Sequence, residues 1–168
     1  MNHSLINKDR HRNNGGKLPI YQYFLRKINT KKTIFNLVYK ILFKLFSFLY
    51  HVEISPYTKI GEGLYIGHPY GITINPKVVM GKNCNISKGV TIGQENRGTR
   101  KGTPIIGNCV YFGVNSTIVG KITIGDDVLI APNSYVNRNI PSHSIVIGNP
   151  CIIIPTQNAT EGYINNKV

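Results

Sequence analysis

A period of six residues, carried mostly by isoleucine, does more than any other feature to narrow what this chain can fold into. From Ile106 onward an apolar residue recurs at every sixth position: Ile106, Phe112, Ile118, Ile124, Ile130 and Val136. A second set stands four residues after each of these: Val110, Ser116, Ile122, Val128, Ser134 and Ile140. Gly107, Gly113, Gly125 and Ala131 follow members of the first set directly. Earlier in the chain, Ile54, Ile60, Ile66 and Ile72 keep the same spacing; after a two-residue slip it resumes at Met80, Ile86 and Ile92. The polar segment Gln94–Pro104 lacks the period and reads as a loop ejected from the repeat. A hexad supplies one short strand and one turn, and three hexads make a triangular coil. Such coils stack as parallel strands at ~4.8 Å. An antiparallel domain would show alternation of period two instead, and that pattern does not dominate.

The expected organisation has four parts: a flexible basic arm over 1–17, a mostly helical segment over 18–51, the β-helix over 52–141, and a closing segment and tail over 142–168. The 168 residues suit one domain with appendages. Within 33–50, Ile34, Leu37, Val38, Ile41, Leu42, Leu45 and Leu49 recur at helical spacing. Lys40 and Lys44 interrupt the stretch, which is short for a membrane span of ~20 apolar residues. It reads first as a helix packed on the protein's own core or a neighbouring subunit. The alternative is peripheral membrane contact through residues 31–50, with Lys31, Lys32, Lys40 and Lys44 meeting anionic lipid.

The net charge of +13 is uneven: residues 1–51 hold ten Lys/Arg against one acid. No arginine-rich run, helix-turn-helix, zinc-finger or RNA-binding signature accompanies it, so nucleic acid is not the expected partner. Cys84, Cys109 and Cys151 are odd in number and widely spaced, and fit reduced thiols in a cytoplasmic protein. No secretory leader opens the chain. No His/Asp/Glu cluster has metal-ligand spacing, so no metal is expected.

A repeat prism is a scaffold, and chemistry is sought where the repeat is broken. One such place is the ejected loop; another is His68, just after a turn position and expected to face outward. Glu53 precedes it by fifteen residues, nearly one coil of eighteen, so the two belong to adjacent layers. A carboxylate there would hold an imidazole in one tautomer, and imidazole suits general-base work near neutral pH.

The segments VEISP (52–56), KIGEGLYIGHPYGITI (59–74), KGVTIG (88–93) and the hexads down to IGNPC (147–151) resemble the serine acetyltransferase branch of the hexapeptide-repeat acyltransferases, over 52–154 in one register. In length and short helical N-terminus the chain resembles bacterial exopolysaccharide, colanic-acid-type acetyltransferases. The resemblance implies a left-handed parallel β-helix, acetyl-CoA as acyl donor and a homotrimer with its active site between adjacent prisms. It implies His68 as general base, oriented by Glu53. It places the pantetheine groove at Gly113-Val114 and Ala131-Pro132, with Lys121, Arg97, Arg100 and Lys101 near the coenzyme phosphates.

Two positions depart from the serine enzymes. Those carry Asp before the catalytic His, where this chain has Gly67, and a second His before the proline that ends the loop, where it has Thr103. Both side chains hold the amino acid. The expected acceptor is therefore a sugar hydroxyl on a surface-polysaccharide precursor. Serine O-acetylation is the alternative, and a catalytically silent structural or binding subunit is the alternative of another class.

Overall fold

The computed structural model describes residues 2–28 and 34–168; Lys31, Lys32 and Thr33 lie outside the described residues. Three helices, α1 (Asn2–Arg12), α2 (Ile20–Lys27) and α3 (Ile34–Tyr50), precede a left-handed parallel β-helix of about five coils. Its first face stacks β1 (Glu53–Ile54), β4 (Thr73–Ile74), β7 (Thr91–Gly93), β10 (Thr117–Val119) and β13 (Tyr135–Val136). The second stacks β2 (Lys59–Ile60), β5 (Val79–Met80), β8 (Ile105–Ile106) and β11 (Thr123–Ile124). The third stacks β3 (Tyr65–Ile66), β6 (Asn85–Ile86), β9 (Val110–Phe112), β12 (Val128–Ile130) and β14 (Ser144–Ile147) in parallel, and β15 (Ile152–Pro155) pairs antiparallel with β14.

The hexad isoleucines fill the prism: Ile66, Ile92, Ile118, Ile124 and Ile130 are fully buried. Parallel register sets Ile54 beside Ile74, and Ile66 beside Ile86. The two extra residues of the early repeat therefore lie between Ile66 and Ile74, in the turn bearing His68, and not after Ile72 as the spacing alone suggested. Ile72 is buried within that turn, and Ile74 takes the strand position.

Stacking at hydrogen-bonding distance leaves no room for side chains at one edge. A Cβ on Gly81 would lie 2.5 Å from the Gly107 carbonyl oxygen, and one on Gly61 2.5 Å from that of Gly81. Gly61, Gly81, Gly107 and Gly125, on this edge, are a steric requirement of coil contact, beyond any turn preference.

The stretch 1–17, expected as a flexible arm, contains α1, and α1 is docked by buried charge. Asp9 is completely buried and receives Arg26 Nε at 2.8 Å, Gln22 Nε2 at 3.0 Å and the Leu64 N–H at 3.0 Å. Arg26 also donates to the carbonyls of Ile60 and Gly61, and Arg12 to that of Gly63. Removing water from these ions is costly, and the coil carbonyls and amide replace it. Composition alone shows a basic run; only the fold supplies the partners. Helix α3 ends in a Schellman turn: His51 takes φ +50°, its N–H donates to Phe48 O, and the Val52 N–H reaches Ser47 O at 3.0 Å. The chain is thereby aimed directly into β1.

The tail returns along the edge between the second and third faces. Asp127 accepts hydrogen bonds from the amides of Ala159 and Thr160 and from the Thr160 hydroxyl, and lies 2.9 Å from His143 Nδ1. Partial burial raises the Asp127 pKa, but these donors outweigh it and bring it down to about 2.

Two predictions follow from the packing. Gly81→Ala should cost about 1–3 kcal/mol through overpacking, read as a lowered thermal midpoint. Gly93→Ala, whose nearest contact would be an ordinary 3.5 Å, should cost far less. Because the Asp127 pKa is depressed on folding, its stabilisation is present above its unfolded value of about 3.9 and lost as pH falls toward 2. Amide protection at Ala159 and Thr160, corrected for intrinsic exchange, should fall across that window, and Asp127→Asn should abolish the pH dependence.

Candidate active site

His68 stands on the edge between the third and first faces, in the turn Gly67–Ile72 that links β3 to β4. It is exposed, as expected. The turn is held from below by the end of α3. The Gly71 N–H donates to Tyr50 O at 3.0 Å, the Glu53 N–H donates to Ile72 O at 2.7 Å, and the Tyr50 and Tyr70 rings meet edge to face at 5.1 Å. The segment carrying Glu53 thus lies one layer beneath the segment carrying His68. Within the single chain no hydrogen bond or ion pair joins the two side chains. Glu53 is exposed and lines a hollow of about 460 Å³ on the first face with Phe43, Ser47, Thr73, Asn75 and Gly93. His68 lies at the edge, outside that lining.

The positions expected to meet coenzyme fall into two groups. Register places Gly67, Ser87, Gly113 and Ala131 in one vertical column, because Ile66, Ile86, Phe112 and Ile130 are stacked directly. Gly113-Val114 and Ala131-Pro132 therefore share the edge of His68, two and three coils above it, or ~10 and ~14 Å along the prism. At that edge a Cβ on Gly113 would stand 2.5 Å from Pro132 N, so the next coil is laid directly on Gly113 with no side chain between them. A column of small residues, Gly67, Ser87, Gly113 and Ala131, leaves space for an extended, narrow chain laid along it.

Lys121 belongs to the next edge, between β10 and β11, beneath the ejected loop. Its N–H donates to Arg100 O at 2.8 Å, and Gly102 packs over its stem. The loop itself folds back, with Glu95 and Gly102 exchanging backbone hydrogen bonds. Arg100 is turned onto the Glu95 carboxylate, with Nε 3.1 and 3.2 Å from its two oxygens. The Thr103 hydroxyl donates to Lys77 O at 3.3 Å. Among the described residues no group of three His, Cys, Asp or Glu is placed to hold a metal ion.

Residue-by-residue reading missed Tyr65. Its ring lies against Gly67, so that a Cβ there would meet Cε1 at 3.2 Å. The aromatic ring crowds the space beside His68 where a side chain at 67 would begin. The signal available in the sequence was the eight-residue gap from Ile66 to Ile74, which marks this turn as the irregular one.

Against known proteins, residues 103–138 match the bacterial transferase hexapeptide (six repeats) family model. The chain is 37% identical over 106 residues to serine acetyltransferase 2 of Arabidopsis thaliana, covering 63% of this chain and 33% of that protein. It is 35% identical over 117 residues to the serine acetyltransferase of Helicobacter pylori, covering 70% of this chain and 68% of that one. Its fold superposes on the Neisseria gonorrhoeae serine acetyltransferase solved with serine at a TM-score of 0.63 and 29% identity, covering 80% of this chain and 54% of that chain. The chain thus spans between a third and about two thirds of the length of these relatives, and it shares their repeat body. With the helices, the coils and the His68 edge in place, the chain belongs to the serine acetyltransferase family of hexapeptide-repeat transferases.

Proposed function

We propose that this protein transfers an acetyl group from acetyl-CoA to the hydroxyl of L-serine, with His68 as general base. The observation that carries the reading is the shared edge: His68 sits at the foot of the same column of small residues as Gly113-Val114 and Ala131-Pro132. Pantetheine laid along that column would deliver its thioester toward the imidazole. His68 removes the proton from the acceptor hydroxyl as the oxygen attacks the thioester carbonyl. The tetrahedral oxyanion is held by a backbone N–H of a nearby coil. It collapses with release of the coenzyme thiolate, which takes the proton back from the imidazolium. Glu53, on the layer beneath, orients the ring. No covalent intermediate is needed. The relatives are named for serine rather than for polysaccharide, and this moves the acceptor from the sugar expected above to serine. Their activity also weighs against a silent subunit.

In this reading the protein works as a cytoplasmic homotrimer. Lys121 and the loop 94–104 occupy a different edge from His68, and packing one prism's loop edge beside another's His68 edge would bring both groups to one groove. Lys121, Arg97 and Lys101 would then meet the coenzyme phosphates.

One observation favours a second reading, a sugar hydroxyl as acceptor. Gly67 offers no carboxylate to the serine ammonium, the Tyr65 ring crowds the space beside it, and Glu95 is committed to Arg100.

His68→Ala should lower kcat at least ~100-fold with the assembly intact, and Glu53→Gln should lower it less; a fully active His68→Ala protein would remove His68 from the mechanism. Steady-state kinetics with L-serine and a panel of nucleotide sugars and lipid-linked oligosaccharides decide the acceptor. A kcat/KM for serine on the order of 10⁴ M⁻¹s⁻¹ or above supports serine, whereas turnover confined to the glycans establishes the second reading.

A further inference from the structure

Helix α3 is apolar on two opposite sides, and the body of the protein covers only one. Phe43 is buried against Tyr21 at a ring separation of 5.1 Å, and Phe46 stacks on Phe24 at 5.6 Å. Across the helix, Leu37, Val38, Ile41, Leu45, Phe48 and Leu49 are 48% to 75% exposed. At 3.6 residues per turn these six fall within about 120° of one another. They form one unbroken stripe, and exposed Lys40 and Lys44 run along its margin. A contiguous apolar surface of this kind, rimmed by cations, marks a contact site.

Charge identifies what it contacts. Residues 1–51 carry ten Lys/Arg and a single acid, Asp9, which is buried in an ion pair with Arg26. Every exposed charge on the described residues of this segment is therefore positive, and the exposed carboxylate that follows the helix, Glu53, lies in the first-face hollow with Phe43 and Ser47, off the stripe. Two copies pressed stripe to stripe would set Lys40 and Lys44 against the same lysines with no carboxylate between them. A second feature continues the stripe. Leu42 and Phe46 lead from it into a groove of about 570 Å³ walled by Leu18 and Ile20, with the exposed cations Arg10 and Lys17 also in its wall. An apolar hollow beside free cations matches an acyl chain and its phosphate.

We propose that the outer face of α3, with the adjoining groove, docks this protein on the surface of an anionic membrane. The helix lies in the plane of the interface with Phe48 and Ile41 among the acyl chains and the lysines at the phosphates. It does not cross the bilayer, and no described helix is long and apolar enough to do so. The proposal does not depend on which acceptor is acetylated.

The test is co-sedimentation of the full chain with phosphatidylcholine vesicles, with and without ~30% phosphatidylglycerol. At low salt, binding to the anionic vesicles should exceed that to neutral ones at least tenfold and fall steeply as salt is raised. Ile41→Asp with Phe48→Asp should abolish it, with circular dichroism and sedimentation velocity unchanged. Lys40→Ala with Lys44→Ala, which leaves the apolar stripe whole, should weaken it about fivefold per lysine. Absence of binding to anionic vesicles overturns the proposal. So does a smaller assembly for the double Asp variant in sedimentation velocity, which would show that copies of the chain cover this face.

Discussion

Each coil must lie on the one below at the spacing of a parallel β ladder, and most other features answer that demand. Strands of two to four residues cannot hold a fold singly. They persist because every coil presents its backbone donors and acceptors to the next, and because the isoleucines stack in a dry column down the axis. The edges bear the cost of that proximity. Where Gly61, Gly81 and Gly107 succeed one another, a side chain would meet the next carbonyl. At the third-to-first edge, Gly113 lies directly under Pro132, in a column whose other members are Gly67, Ser87 and Ala131. A surface formed to satisfy stacking is, by the same geometry, a smooth track for an extended ligand.

The candidate site lies where the repeat admits extra residues. The first departure is two residues long and pushes the His68 turn outward above the end of α3. The second is the loop 94–104, closed on itself by the Glu95–Arg100 pair. The turn is held by bonds to the neighbouring layer, and the loop both by its own Glu95–Gly102 backbone pair and by the Lys121 N–H donating to the Arg100 carbonyl. The Schellman turn at His51 has a direct bearing on the first, since it sets the Tyr50 carbonyl to accept from the Gly71 N–H and the Glu53 N–H to donate to the Ile72 carbonyl. The N-terminal helices are therefore part of the site's support, and the buried Asp9–Arg26–Gln22 cluster fixes the first two of them to the prism.

The acceptor question comes down to three side chains. A serine ammonium asks for a carboxylate, and the one in the loop, Glu95, already has a cation on it. Gly67 leaves its neighbourhood to Tyr65, whose aromatic ring offers a flat apolar surface there in place of a charge. The family's shared repeat settles the scaffold, but these few residues set the pocket.

The sequence by itself determined the prism. A period of six has one solution in which every sixth residue is buried and every coil bonded, so the core, the faces and the ejected loop were legible from Ile54, Met80, Ile106 and their successors. That the segment of Glu53 lies one layer beneath the turn of His68 was legible because position in a solenoid is nearly a function of sequence separation; whether the two side chains meet was not. What the tertiary structure decided was everything outside that arithmetic. It moved the two-residue slip from behind Ile72 into the His68 turn, since only the pairing of Ile54 with Ile74 reveals which residues leave the coil. It made a helix of the basic arm, because Asp9 and Arg12 find their partners on α2 and among carbonyls, amides and side chains that the coils assemble. It separated Lys121 from the His68 edge, and it left one face of α3 bare. Contacts between a helix and a prism, or between one edge and another, depend on orientation in space, and no periodicity in the chain records that.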